Sequence, residues 1–141
     1  MASPLDPIEL GLPHRAPFLF VDAILELVPG ESALGSKVFP AEEPFFRGHF
    51  PGEPLVPGVI LTEALAQTAG LVAGQAERSF RLAAIKGMKF PAAVRPGETV
   101  TLHARKTIVA GALWQFEVRA AVGELTVAEG VLVLAEVNRD R

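Results

Sequence analysis

The chain has 141 residues, 50% of them apolar and 21% charged, with a formal net charge of −3 and no cysteine. That length suits a single domain spanning residues 1–141 and is short for two. The missing cysteines exclude disulfides, thiolate metal sites and a cysteine nucleophile, and the net negative charge argues against nucleic acid as a main partner.

The N-terminal MASPLDPIELGLPHR has no basic start leading into an apolar stretch, so no secretory signal is predicted, and a cytoplasmic protein is expected. A short helical turn is expected around Pro7 to Leu10, with Pro13 and Pro17 breaking anything longer. Phe18 to Val28 reads as a strand, Pro29-Gly30 as a turn, and Ser32 to Phe39 as a second strand. From Pro40 to Pro57 the spacing of proline and glycine forbids regular structure, and an irregular loop of that length is usually functional.

Gly58 to about Glu77 is helical in pattern, with Pro57 where a helix favours its first residue. Apolar residues fall on every side of it, which predicts a central helix wrapped by other structure rather than a membrane span, because Glu63 interrupts the run. Phe80 to Phe90, Glu98 to Val109, Ala112 to Val122 and Leu125 to Val137 then read as strands joined by tight turns. One buried helix with about six antiparallel strands makes an α+β domain in which a curved sheet wraps the helix.

Glu63 is the residue that does not fit its surroundings. An unpaired carboxylate in an apolar environment costs several kcal/mol, so it needs a partner, a proton or a task. Thr62, Glu63, Gln67 and Thr68 are the only polar positions in the first three turns, and Glu63 and Gln67 share a face. Such a narrow polar stripe looks like the lining of a site. His49 stands between Gly48 and Phe50-Pro51-Gly52, a backbone that can hold an imidazole in one orientation. Gly58, at the positive end of the helix, would let a carbonyl oxygen approach its N–H. A positioned histidine, a sequestered glutamate and an oxyanion donor describe proton abstraction beside a carbonyl. His14, His49 and His103 lack metal-ligand spacing, so no metal is expected. His103, in a strand alternation, is expected to face outward.

The stretch GHFPGEPLVPGVILTEALAQ closely resembles the signature of the 3-hydroxyacyl-acyl-carrier-protein dehydratases of fatty-acid synthesis. LPHRAPFLFVD (Leu12 to Asp22), EPFFRGHFPG (Glu43 to Gly52) and, more loosely, MKFPAAVRPGE (Met88 to Glu98) extend the likeness over nearly the whole chain. The resemblance implies a hot-dog fold and homodimers, often assembled as trimers of dimers, whose sites draw histidine and glutamate from different subunits. It implies that His49 and Glu63 are catalytic, that the Gly58 N–H meets the thioester carbonyl, and that no cofactor is needed. A glutamate at position 63 resembles the dehydratase-only branch. The substrate would be an acyl thioester on acyl carrier protein, with Val59, Phe50, Phe46, Phe45 and Leu61 as candidates beside the acyl chain.

Two features depart from the family pattern. The chain has no tyrosine, so a tyrosine gate cannot exist, and Lys106 to Phe116 lacks the arginines that many members use for carrier docking. Arg78, Arg81, Lys86, Lys89 and Arg95, set against the single acid Glu77, form an alternative basic run for an acidic carrier. The competing readings are a hot-dog dehydratase or thioesterase of a polyketide or aryl-polyene pathway, and a non-catalytic acyl-binding subunit. The second has no need of a buried carboxylate.

Overall fold

The helix α1 runs Gly58–Ala73 and buries every residue from Leu61 to Ala73 except Glu63. Its surface is built largely of Ala64, Ala66, Ala69, Gly70 and Ala73, small enough for a sheet to approach closely, while Leu61 and Leu65 fill the space between. Each buried leucine contributes roughly 1.5–3 kcal/mol. Pro57 occupies the position before the first helical residue rather than that residue itself, and its carbonyl accepts from the N–H groups of Ile60 and Leu61. Gly74, with φ at 92°, adopts the left-handed conformation that ends the helix. The structure is a computed structural model describing residues 3–74 and 78–137, so the expected extension towards Glu77 lies outside the described residues.

Six strands surround α1: β1 Ala23–Val28, β2 Ser32–Val38, β3 Ser79–Lys89, β4 Thr99–Ala110, β5 Leu113–Val122 and β6 Leu125–Val137. They form one antiparallel sheet in the order β1-β2-β4-β5-β6-β3. Along β4, Val100, Leu102 and Ala104 are buried while His103 and Arg105 are exposed, the alternation expected of a sheet with one covered face. Register shifts in β1, β3, β4 and at the β5–β6 pairing bend the sheet, and α1 lies against β2, β3, β4, β5 and β6. This is the hot-dog arrangement: a curved sheet round one long helix.

The Pro29-Gly30 turn has a second use. The Gly30 N–H donates to the Val72 carbonyl at 2.9 Å, satisfying one of the carbonyls left over at the end of α1. The first strand is shorter than the sequence predicts, beginning at Ala23 instead of Phe18. The reason is Gln67: its Oε1 accepts from the Phe20 N–H at 2.9 Å and its Nε2 donates to the Phe18 carbonyl at 3.1 Å. A buried amide on the helix thus does for this segment what a neighbouring strand would otherwise do. The expected turn near Pro7 to Leu10 is present, with the Leu10 N–H donating to Asp6. The loop from Pro40 to Pro57 contains one short 3₁₀ turn, Pro44–Arg47. No helix among the described residues is long and apolar enough to cross a membrane.

Candidate active site

His49 is held by its own loop. Its main-chain carbonyl accepts from the Leu55 N–H at 2.9 Å, and its ring Nδ1 lies 3.0 Å from the Leu55 carbonyl. A carbonyl can only accept, so Nδ1 carries the ring hydrogen and Nε2 keeps its lone pair. Phe50 stacks on the imidazole with centroids 4.2 Å apart, and the peptide joining the two residues is cis. Reciprocal hydrogen bonds of 3.0 Å between Phe50 and Glu53 close the loop tip, where Gly52 takes a φ of 78°. The result is a half-buried imidazole whose Nε2 has no hydrogen-bond partner among the described residues and which has little freedom to turn.

Glu63 sits one turn into α1 with its side chain 20% exposed. Gln67 Nε2 donates to its Oε2 at 3.0 Å, and His14 Nε2 stands 3.5 Å from the same oxygen. These three residues line a hollow of about 280 Å³ whose other walls include Phe18, Phe80 and Leu134. Burial pulls the His14 pKa below the ordinary 6.5, against the raising effect of the Glu63 carboxylate, so His14 is neutral near pH 7.

The polar stripe divides. Gln67 and Glu63 reach the hollow, but Thr62 and Thr68 do not; their hydroxyls donate back to the Gly58 and Ala64 carbonyls at 2.9 Å. His14 is the residue that composition and spacing missed. Its signal was its place in LPHRAPFLFVD, upstream of the segment that Gln67 grips.

Gly58 opens α1, and no side chain caps that end. The Phe90 ring lies over it: a Cβ added to Gly58 would come within 3.0 Å of that ring. Val59 is 76% exposed beside it and Phe50 is half exposed, whereas Phe46 and Leu61 are packed into the hydrophobic core of the chain, with Phe45 at its margin.

The structure therefore makes two separate clusters. His49 and Glu63 share no hydrogen bond or ion pair among the described residues; each is engaged by its own neighbours. Nor do the five basic residues converge. Arg81 lines the Glu63 hollow, and Lys89 lines a different hollow of about 420 Å³ with His103 and Arg119. Arg78 pairs with Glu136 at 3.6 Å, and Lys86 donates to Gln115 at 3.3 Å. The Arg95 main-chain N–H donates to Glu98 at 2.6 Å. Glu77 lies outside the described residues. His103 is exposed, as its strand alternation predicts. No three His, Asp or Glu side chains among the described residues converge as a metal site would require.

Comparison with known proteins places the chain in one family. The FabA-like domain matches residues 12–131. The 3-hydroxyacyl-acyl-carrier-protein dehydratase FabZ of Chloroflexus aggregans is 41% identical over 128 residues, covering 88% of this chain and 89% of that protein. The FabZ of Clostridioides difficile is 40% identical over 139 residues, covering 96% and 98%. Among solved structures, the dehydratase heterocomplex ApeI:P from Xenorhabdus doucetiae superposes with a TM-score of 0.78 at 15% identity, over 99% of this chain and 95% of that one.

Proposed function

The chain belongs to the FabA-like domain family, and from that membership we propose how its residues act. It is a 3-hydroxyacyl-acyl-carrier-protein dehydratase of fatty-acid biosynthesis, converting a (3R)-3-hydroxyacyl thioester to the trans-2-enoyl thioester. His49 Nε2 takes the C2 proton, and the negative charge that develops on the thioester oxygen is met by the Gly58 N–H at the positive end of α1. Glu63 gives a proton to the C3 hydroxyl, which leaves as water. A proton then passes from His49 to Glu63 through solvent and restores the starting state. The thioester acidifies C2, so the chemistry needs no cofactor.

The observation that carries this reading is the Leu55 carbonyl on His49 Nδ1, which leaves Nε2 as a base. That His49 and Glu63 share no hydrogen bond or ion pair among the described residues supports a site shared between two copies. β3 ends the sheet, with Leu82, Ile85 and Phe90 exposed on or next to it. At the opposite end, Leu5 bridges to Ile24 and covers β1. Pairing of two β3 edges would join two protomers into a dimer, and three dimers into a hexamer is the larger assembly it allows. The acyl carrier would dock through Arg78, Arg81, Lys86, Lys89 or Arg95, with Val59 and Phe50 beside the acyl chain. The cytoplasm is the compartment this reading implies.

Hydration of a crotonyl thioester, run in parallel on carrier-protein and coenzyme A substrates, tests the assignment. His49→Ala and Glu63→Gln should each lower kcat by about 10²- to 10⁴-fold while the melting temperature stays near wild type. Wild-type rates in both variants would refute it, and release of free thiol by the wild type would mark a thioesterase.

A further inference from the structure

The two oxygens of Glu63 are not equivalent. Both neighbours fall on Oε2, Gln67 at 3.0 Å and His14 at 3.5 Å, while no hydrogen bond or ion pair among the described residues falls on Oε1. His14 is unusual as well: its Nδ1 is buried and has no hydrogen-bond partner among them. A neutral imidazole has one N–H and one lone pair, and a buried N–H without an acceptor costs more than a buried lone pair without a donor. The ring hydrogen therefore belongs on Nε2, aimed at Glu63.

The ring is also firmly placed. The Arg15 guanidinium donates to the Leu12 and His14 carbonyls at 2.8 Å each, which fixes the turn that carries it. Phe18 lies alongside the imidazole at 6.5 Å, and Gln67 grips the Phe18 and Phe20 main chain. The same amide that secures this segment donates to Glu63, so histidine, glutamine and glutamate are referenced to one another. Arg81, on β3, is the other charged group on the hollow.

We propose that His14 is a positioning residue: with Gln67 it holds Oε2 of Glu63, so that Oε1 faces the substrate hydroxyl and carries the proton that leaves with it. An oxygen that accepts from two N–H donors behaves as the carbonyl of a carboxylic acid, which puts the acidic hydrogen on the other oxygen. The 3.5 Å approach is long for a hydrogen bond and would tighten on binding of substrate. This inference rests on Glu63 being the acid of the dehydratase reaction.

Steady-state kinetics and proton NMR together test it. His14→Ala should lower kcat on the order of 10- to 100-fold with KM within about twofold. His14→Gln, which returns an amide donor towards Oε2, should recover a large part of that loss, and His103→Ala should match wild type. A kcat within twofold of wild type for His14→Ala, or no advantage of glutamine over alanine, would overturn the proposal. In the folded wild type the His14 ring should titrate below 6.5, because burial disfavours its charged form. A midpoint at or above 6.5 would contradict the buried, neutral imidazole that the proposal requires. A wild type unable to dehydrate would instead bring down the dehydratase reading and this inference with it.

Discussion

Leu55 holds His49 at two points, the main-chain oxygen and the ring nitrogen, so the His49 imidazole is set by backbone rather than by another side chain. That arrangement was partly legible: Gly48, Pro51 and Gly52 announced a constrained loop, but the acceptor for Nδ1 is a carbonyl and leaves no trace in residue identity. Gly58 was legible for a related reason, and the structure adds the ring of Phe90 above it. Gly58→Ala should keep or slightly raise the melting temperature, since alanine favours helix by roughly 0.5–1 kcal/mol and the half-exposed Phe90 can swing aside. The same change should cut kcat by roughly tenfold or more by blocking approach to the N–H, a split that calorimetry and kinetics would expose together. His14 contributes to pH dependence of folding. Its folded pKa is depressed below 6.5, so the unfolded chain binds the proton more readily. Stability should therefore decline as pH falls below 6.5, and thermal melts of His14→Gln should show a shallower decline over that window.

At the scale of elements, the strands β2 to β6 and the helix were readable because period-two and all-apolar patterns survive folding unchanged. The start of β1 was not, because a side chain from α1 replaced the partner strand. Gln67→Leu should expose how much that substitution matters. The Phe18 carbonyl and Phe20 N–H would lose their partners and Glu63 its donor, costing about 1–3 kcal/mol for each buried group left unmet. Chemical denaturation should show the loss, with activity falling too because the His14 segment is loosened. Asp22, the last residue of LPHRAPFLFVD, accepts from the Lys37 ammonium at 3.1 Å and the Val38 N–H at 2.8 Å. Part of the family-like motif therefore seats a largely buried lysine.

Across the whole molecule, a His49 cluster and a Glu63 cluster that share no hydrogen bond or ion pair among the described residues give the proposed shared site a sharp test. When His49→Ala and Glu63→Gln proteins are mixed and allowed to exchange subunits, half the dimers become hybrids. Each hybrid rebuilds one intact site from two, so about a quarter of wild-type activity should return. No recovery after verified exchange would place both residues in a single-chain site. Nothing in a linear chain announces which residues would face a second copy, and the fourteen-residue offset from His49 to Glu63 carries no information on that point. The open β3 edge bears on more than catalysis. Unpaired main-chain groups flanked by Leu82, Ile85 and Phe90 make an adhesive border on a lone protomer, open to any extended chain it meets. In a dimer joined there, the seam that completes the site would also conceal that border, so separating the protomers would cost the protein its solubility along with its activity.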